Sequence, residues 1–334
     1  MIEKKFLYVF NESYTEPEDQ LCHKEEVLKV GSIVIPVFFG VLVVCSCTGN
    51  LLVLVILLLY EKFRLLINIL IFNLAVSDLL FTFGLPFWAL YFVYGWTFGD
   101  AGCKAVRFLF YLGFYSSVLF LTLMTVQRYM AVVHPLSDWK GCRCFSVAPF
   151  IIWMLSGTAA LLVSLRSQVL EHEGNLYCEF DSIQVKHAAV YLQNVFFLIA
   201  FCIMGFCHVR MFQTIAQSRT KGRHKTIKLI FCIGLLFFIG WAPYNIVMFL
   251  RILQDYSLSS FVDCSVSIRL DYAFYTCRLL AFSHCSLNPV LYALIGEKFR
   301  KHLQTILKKM YITESAVKNE PSIHHIIMQN IQDK

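Results

Sequence analysis

Seven long runs of apolar residues, each almost free of charge, constrain this chain more than any other feature in it. A helix needs about 20 mostly apolar residues to cross the hydrocarbon core of a bilayer. The runs cover Ile33 to Tyr60, Leu65 to Tyr94, Phe108 to Val133, Phe145 to Leu165, Ala188 to Val209, Ile227 to Leu250 and Tyr272 to Ile295. Composition agrees. The chain is 58% hydrophobic and 15% charged, with a mean hydropathy of +0.63, against about 25% charged residues in soluble domains. These spans predict an all-α fold, a seven-transmembrane helix bundle. The apolar stretch Phe6 to Phe10 is too short for the core of a signal peptide, so the first span is expected to act as the signal anchor.

Orientation follows from the short connections, because lysine and arginine accumulate on the cytoplasmic side. Arg210, Arg219, Lys221, Arg223, Lys225 and Lys228 lie between spans five and six, and Lys298, Arg300, Lys301, Lys308 and Lys309 follow span seven. With an odd number of spans, the N-terminus and the connections after spans two, four and six are then extracellular. The chain divides into an outer tail (1–32), the bundle (33–295), an amphipathic juxtamembrane helix (296–311) and a cytoplasmic tail (312–334). The short helix is read from Phe299, Leu303, Ile306, Leu307 and Met310, which recur with helical spacing opposite a basic face, as in helices lying on a lipid surface. The formal net charge of +7 is unevenly spread. The outer tail has seven acids against four lysines, and Glu171, Glu173, Glu179 and Asp181 add negative charge nearby. Such a face attracts basic partners. No nucleic-acid partner is expected.

Four of the 13 cysteines fall on the predicted outer side: Cys22, Cys103, Cys178 and Cys264. An even number in an oxidising compartment points to two bridges.

A charge inside a bilayer is costly and marks a functional candidate. The candidates are Asp78 in span two, Arg128 at the inner end of span three and Arg278 in span seven, with His208 and His284 read as histidines satisfied by neighbouring polar groups. Asn50, Ser117 and Asn288 lie at depths from which they would share a cavity with Asp78. That cavity would hold either a hard cation such as sodium, which takes oxygen ligands, or a protonated carboxyl within a hydrogen-bond network, since burial disfavours the ionised form. No other cofactor and no further metal is expected. Pro86, Pro243 and Pro289 each interrupt a span and remove a backbone hydrogen bond, giving the bundle hinges. Trp241 stands two residues before Pro243 and is either a ring that turns on that hinge or plain core packing.

"TGN" (Thr48 to Asn50), "SDLL" (Ser77 to Leu80), Cys103 opening span three, "QRY" (Gln127 to Tyr129) closing it, Trp153, "GWAP" (Gly240 to Pro243) and "NPVLY" (Asn288 to Tyr292) occur in order, at least one in each span but the fifth. Together they resemble rhodopsin-like G-protein-coupled receptors. "LPFW" (Leu85 to Trp88), "GWTFGDAGCK" (Gly95 to Lys104), "VVHPL" (Val132 to Leu136), "LAFSHCSLNPVLY" (Leu280 to Tyr292) and "GEKFRKHL" (Gly296 to Leu303) narrow the resemblance to chemokine receptors. "RHKTIKLIF" (Arg223 to Phe231), "CRLLAFSHC" (Cys277 to Cys285) and Arg278 bring it nearest to the XC-type branch, which recognises the C-class chemokine lymphotactin.

The resemblance implies bridges Cys103 to Cys178 and Cys22 to Cys264, and a ligand pocket lined by Trp88, Phe110, Tyr244, Tyr275 and Arg278. Arg278 stands where many relatives keep a glutamate, and a guanidinium there favours an anionic or carbonyl-rich group. The resemblance also implies an activation switch built from Arg128, Tyr129, Trp241, Pro243, Pro289 and Tyr292, and as partners a chemokine, a heterotrimeric G protein of the inhibitory class and membrane lipid. It departs from the class at Gln127, which replaces an aspartate that would clamp Arg128 at rest, and at His208, which replaces a tyrosine. Tyr14, set among Glu12, Glu16, Glu18 and Asp19, suits sulfation, and Asn11 in "NES" fits a glycosylation sequon. The tail after the short helix carries Thr313, Ser315 and Ser322 as phosphate acceptors, so arrestin recruitment is expected to be weak. The expected place is the plasma membrane, multi-pass, with the N-terminus outside.

The rival within the same family is a scavenger that binds chemokine without driving a G protein, which the altered "QRY" and His208 would favour. A transporter would carry an inverted repeat of interrupted spans, and an enzyme a signature such as H-E-x-x-H or G-x-S-x-G. Neither is found, so no enzymatic activity is expected.

Overall fold

The structure, a computed structural model, describes residues 25–61, 65–135, 144–172, 174–217, 224–256, 263–296, 299–306 and 308. Helices α1 (Glu25–Tyr60), α2 (Leu66–Tyr94), α3 (Gly99–Val133) and α4 (Cys144–Ser164) are followed by a two-stranded hairpin, β1 (Ser167–His172) and β2 (Asn175–Phe180). Then come α5 (Ile183–Gln217), α6 (His224–Asp255), α7 (Cys264–Phe282) and α8 (His284–Ile295). A last helix, α9, occupies 299–306. Asn11, Tyr14 and Cys22 lie outside the described residues.

Among the described residues, six helices are long and apolar enough to cross a membrane. The seventh span is α7 and α8 in succession, broken at Ser283 rather than continuous from Tyr272 to Ile295 as the hydropathy predicts. Polar Arg269, Asp271 and Arg278 keep α7 from registering as a span by composition alone. The bundle carries a polar cluster within its apolar interior and exposes large apolar side chains on its flanks, where a soluble protein would be polar. Asn50, Ser77, Asp78, Ser117 and Asn288 are buried, while Leu59, Phe83, Phe150, Leu162 and Leu294 are exposed on its flanks. Hydrocarbon around the bundle accounts for both facts.

Without water outside, helices are held by close packing and by hydrogen bonds between them. At Gly113 of α3, an added Cβ would lie 2.7 Å from the Phe81 Cβ of α2, so a hydrogen atom is what lets these two helices meet. Between α2 and α4, Trp153 Nε1 donates to Asn73 Oδ1 at 2.8 Å.

The hairpin is an addition to the helical expectation. β1 and β2 pair antiparallel, with Val169 opposite Cys178 and His172 opposite Asn175. Gly174, at φ 75°, supplies the left-handed conformation that a two-residue turn needs. The Cys103–Cys178 disulfide, with Cα atoms 5.5 Å apart, ties the second strand to the start of α3. Asp100 Oδ1 accepts from Val169 N at 3.2 Å, Trp96 N donates to Leu176 O at 2.9 Å, and Arg166 and Asp181 pair at 2.7 Å across the base. The hairpin thereby caps one end of the bundle. Cys264, opening α7, is also disulfide-bonded, and its expected partner Cys22 is outside the described residues.

At the other end, α9 follows α8 after Gly296. Its half-buried positions are Phe299, His302, Leu303 and Ile306, the i, i+3, i+4, i+7 pattern of an amphipathic helix. Phe299 packs on Tyr292 and His302 stacks on Tyr60. Leu307 and Met310, expected in the same stripe, have no described side chains.

Candidate functional site

Beneath the hairpin a cavity opens between the helices. Trp88, Tyr91 and Phe92 of α2 line it with Arg107, Phe110 and Tyr111 of α3, and Glu179 and Phe180 of β2 close one side. Lys186 and Val190 of α5, Tyr244, Met248 and Arg251 of α6, and Phe274, Arg278 and Phe282 at the seventh span complete the wall. Trp88, Phe110, Tyr244 and Arg278 thus stand where the sequence expectation put them. Tyr275 does not. Its ring turns toward α1, where a Cβ on Gly31 would meet it at 2.8 Å, and it packs edge-on against Phe92 at 6.3 Å. Its neighbour Phe274 faces the cavity instead, because one helical position rotates a side chain by about 100°.

Two arginines of this cavity were missed. Arg107 immediately precedes the apolar run of span three and Arg251 immediately follows that of span six. Both looked like boundary residues, yet α3 and α6 continue past the apolar runs and carry them into the wall. Arg107 donates to the Cys178 carbonyl at 2.8 Å and lies 4.1 Å from the Phe180 ring centroid, which holds β2 over the cavity. Arg251 is paired with Asp271 at 3.1 Å and Lys186 with Asp255 at 3.1 Å. His187 shares the same Asp255 oxygen at 3.0 Å, joining α5 to α6.

Arg278 is 9% exposed. Its guanidinium carbon lies 5.2–5.8 Å from the ring centroids of Phe39, Trp88, Phe92, Phe274 and Phe282, distances at which a ring face attracts a cation. Its buried Nε has no hydrogen-bond partner, and among the described residues it has no ion pair.

Below the cavity lies Trp241, fully buried. Its ring touches those of Phe114 (4.4 Å), His284 (5.4 Å), Phe237 (5.8 Å) and Phe282 (6.1 Å). Phe282 lines the cavity and His284 borders the polar core, so Trp241 sits between the two. Pro243 lies within α6 one half-turn on.

In the polar core, Asn288 Nδ2 donates to Asp78 Oδ2 at 2.7 Å and Ser117 Oγ to Asp78 Oδ1 at 3.3 Å. Asn50 was expected at this cluster and is not a direct partner of Asp78. Its amide donates to the carbonyls of Ser46 (3.0 Å) and Cys285 (2.8 Å). The cause is Pro289, which has no N–H to offer the carbonyl four residues back, and that carbonyl is Cys285. Asn50 joins the cluster only through hydroxyls, since Ser46 Oγ meets Thr82 Oγ1 at 2.6 Å.

His284, taken from the sequence as an ordinary satisfied histidine, is half so. Nδ1 is 2.8 Å from the Ala281 carbonyl, which requires the proton on Nδ1. Nε2 has no hydrogen-bond partner among the described residues and lies 3.8 Å from Asp78 Oδ1. Around the carboxylate stand an amide N–H, a hydroxyl, an imidazole nitrogen and the Cys285 thiol. This set can satisfy the carboxyl group through hydrogen bonds. His208, the other histidine expected to be satisfied, has neither ring nitrogen hydrogen-bonded. It faces Phe231 at 5.2 Å and would lie 3.5 Å from a Cβ on Gly234.

At the end opposite the hairpin, Arg128 and Tyr292 line one crevice with Leu229, Glu61, Asn68, Phe299 and His302. Arg128 Nε and Gln127 Oε1 are buried without partners, and among the described residues Arg128 has no ion pair. The acid of this crevice, Glu61, is engaged by His302 (3.4 Å) and Asn68 (3.2 Å). Tyr129 turns away to His134, its hydroxyl 3.3 Å from Nε2.

Comparison with known proteins agrees with this architecture. The family described as "7 transmembrane receptor (rhodopsin family)" matches residues 49–292. Human chemokine XC receptor 1 is 36% identical over 93% of this chain and 92% of its own length, and the mouse protein of that name 35% over 92% and 93%. Human C-C chemokine receptor type 8 is 33% identical over 90% and 85%. A hairpin-capped cavity, a ring-packed tryptophan and a half-buried arginine without an ion pair among the described residues at the far end, set on seven membrane spans and matched over nine-tenths of the chain, make this protein a member of the chemokine receptor branch of the rhodopsin-like G-protein-coupled receptors.

Proposed function

We propose that the chain binds a small basic chemokine of the C class at its hairpin end, with that end and the N-terminus extracellular, and activates a G protein of the inhibitory class at the Arg128 end. The observation that carries this is the packed column from the cavity down to the polar core: Arg278 and Phe282, then Trp241, then His284 above Asp78. A ligand segment entering beneath the hairpin presses on the first of these, and Pro243 and Pro289 let the helix ends beyond them move. Differential contacts in two states are what transmit binding across such a distance.

The acidic outer residues account for the basic partner. Similarity to chemokine XC receptor 1 supports the C class, and the basic connection between α5 and α6 supports docking of a G protein. Gln127 leaves Arg128 without the charge that would hold it at rest, so the resting state is held weakly. The cytoplasmic tail, poor in phosphate acceptors, recruits arrestin weakly. The Asp78 cluster works as a hydrogen-bonded joint between α2, α3 and α8.

The test is a screen of purified chemokines, C class first, on cells expressing this chain, read by inhibition of cyclic-AMP production. Saturable inhibition by lymphotactin, abolished by pertussis toxin, is the expected result. Uptake of chemokine without nucleotide exchange on a purified G protein would make the chain a scavenger instead.

A further inference from the structure

We infer that the base of the hairpin-end cavity is a carboxylate site, with Arg278 as the one group that receives the anion. The inference rests on reading that cavity as the ligand pocket, and it fixes the chemistry of what reaches the bottom.

Four cations line the cavity, and three are already engaged. Arg107 donates to the Cys178 carbonyl, Arg251 is paired with Asp271 and Lys186 with Asp255. Each therefore keeps its place without a ligand. Arg278 is more buried than an ordinary surface arginine, at 9% exposure, and it has no counter-anion among the described residues. An unpaired charge at membrane depth is costly to the fold. The aromatic box around it offsets part of that cost through the ring faces, which explains how the side chain remains charged while waiting. Rings do not accept a guanidinium N–H as an oxygen does, and Nε is left with no acceptor.

The box also selects. A carboxylate forms charge-assisted, two-point hydrogen bonds with a guanidinium. The apolar body that carries it would lie against Trp88, Phe92, Phe274 and Phe282. An amine at the same place would meet a buried like charge. The cavity is thus bipolar, with Glu179 on the hairpin wall and Arg278 at the base. The ligand chemistry is a carboxylate on an apolar carrier. Two sources supply it: an acidic side chain in an inserted polypeptide segment, or a free small aromatic acid.

Three probes share one ring system and differ in charge: indole-3-acetate, indole-3-acetamide and tryptamine. The full chain, purified into phosphatidylcholine nanodiscs, is titrated with each, and the shift in thermal midpoint is followed. Indole-3-acetate is expected to give a saturable rise, with the amide weaker by about tenfold or more and tryptamine giving none. Arg278→Gln is expected to erase the difference among the probes, Arg278→Lys to keep the preference at reduced strength, and Arg278→Glu to turn it toward tryptamine. Equal shifts from the three probes, no shift from any, or a preference that survives Arg278→Gln would overturn the proposal. Should Arg278→Gln not fold, the Arg278→Lys and Arg278→Glu pair decides, since a carboxylate preference unchanged in both removes Arg278 as the receiving group.

A second arm separates the sources. If indole-3-acetate displaces labelled lymphotactin, the site belongs to the inserted segment. If both bind together, the free acid is the occupant. Lymphotactin failing to bind while indole-3-acetate does would sink the C-class reading and leave the carboxylate site standing; the opposite pattern would do the reverse.

Discussion

Asn50 Nδ2 caps the Cys285 carbonyl at 2.8 Å, the carbonyl that Pro289 leaves without a backbone donor. One residue of α1 thus repairs the break that a proline makes in α8. Ser46 Oγ reaches the same oxygen at 3.2 Å and Thr82 Oγ1 of α2 at 2.6 Å, so the kink is a three-way joint of α1, α2 and α8.

Asn50→Ala is expected to lower stability by about 1–3 kcal/mol, the cost of leaving a buried acceptor short of its partner. The thermal midpoint of receptor in nanodiscs measures it. In a Pro289→Ala background the backbone regains its own donor, and the same substitution should cost less than half as much. Equal costs in both backgrounds would disconnect Asn50 from the kink.

Gly113→Ala sets a methyl 2.7 Å from the Phe81 Cβ and 3.0 Å from its backbone. Overpacking of this kind costs roughly 1–3 kcal/mol, and because backbone is involved it cannot be relieved by a rotamer change. Gly157→Ala, also inside a helix but with nothing within 4 Å, serves as the comparison and is expected to hold or raise the midpoint, since alanine is favoured over glycine in a helix interior by about 0.5–1 kcal/mol.

His208 buries two ring nitrogens without partners. Replacing such a group by an apolar one of similar size removes a desolvation penalty of about 1–3 kcal/mol. His208→Phe should therefore raise the thermal midpoint, and a fall would reveal a partner for the imidazole.

Gln127→Asp restores a carboxylate beside Arg128, whose Nε now has no partner. A partly exposed pair is worth about 1 kcal/mol, which shifts a two-state population a few-fold. Basal nucleotide exchange on purified G protein is expected to fall by that factor. A rise or no change counts against the loosened clamp.

Arg107→Gln removes the donor at 2.8 Å from the Cys178 carbonyl and the cation over Phe180, while the disulfide remains. Amide hydrogen exchange in β2 should speed up by roughly ten- to a hundredfold, the response of a strand that has lost about 1.5–3 kcal/mol of charged hydrogen bonding. Exchange unchanged there would assign the strand's position to the disulfide alone.

Much of this protein was legible in its sequence. Apolar run length determined the spans, since about 20 residues are needed to cross lipid. Basic connections suggested an orientation, and the ordered motifs carried the family. Rare charges in apolar runs marked Asp78, Arg128 and Arg278, because membrane depth makes each one costly.

Tertiary structure decided the rest. Which face of a helix a residue takes exchanged Tyr275 for Phe274 at the cavity. How far a helix continues past its apolar run brought in Arg107 and Arg251. A backbone acceptor freed by Pro289 drew Asn50 away from Asp78, and the contact of His284 Nδ1 with the Ala281 carbonyl sets the ring so that Nε2 faces that carboxyl group. The hairpin came from pairing between strands too short to register beside the spans. Each of these depends on hydrogen-bond partners and ring contacts contributed by residues distant in the chain, and local hydropathy carries no record of them.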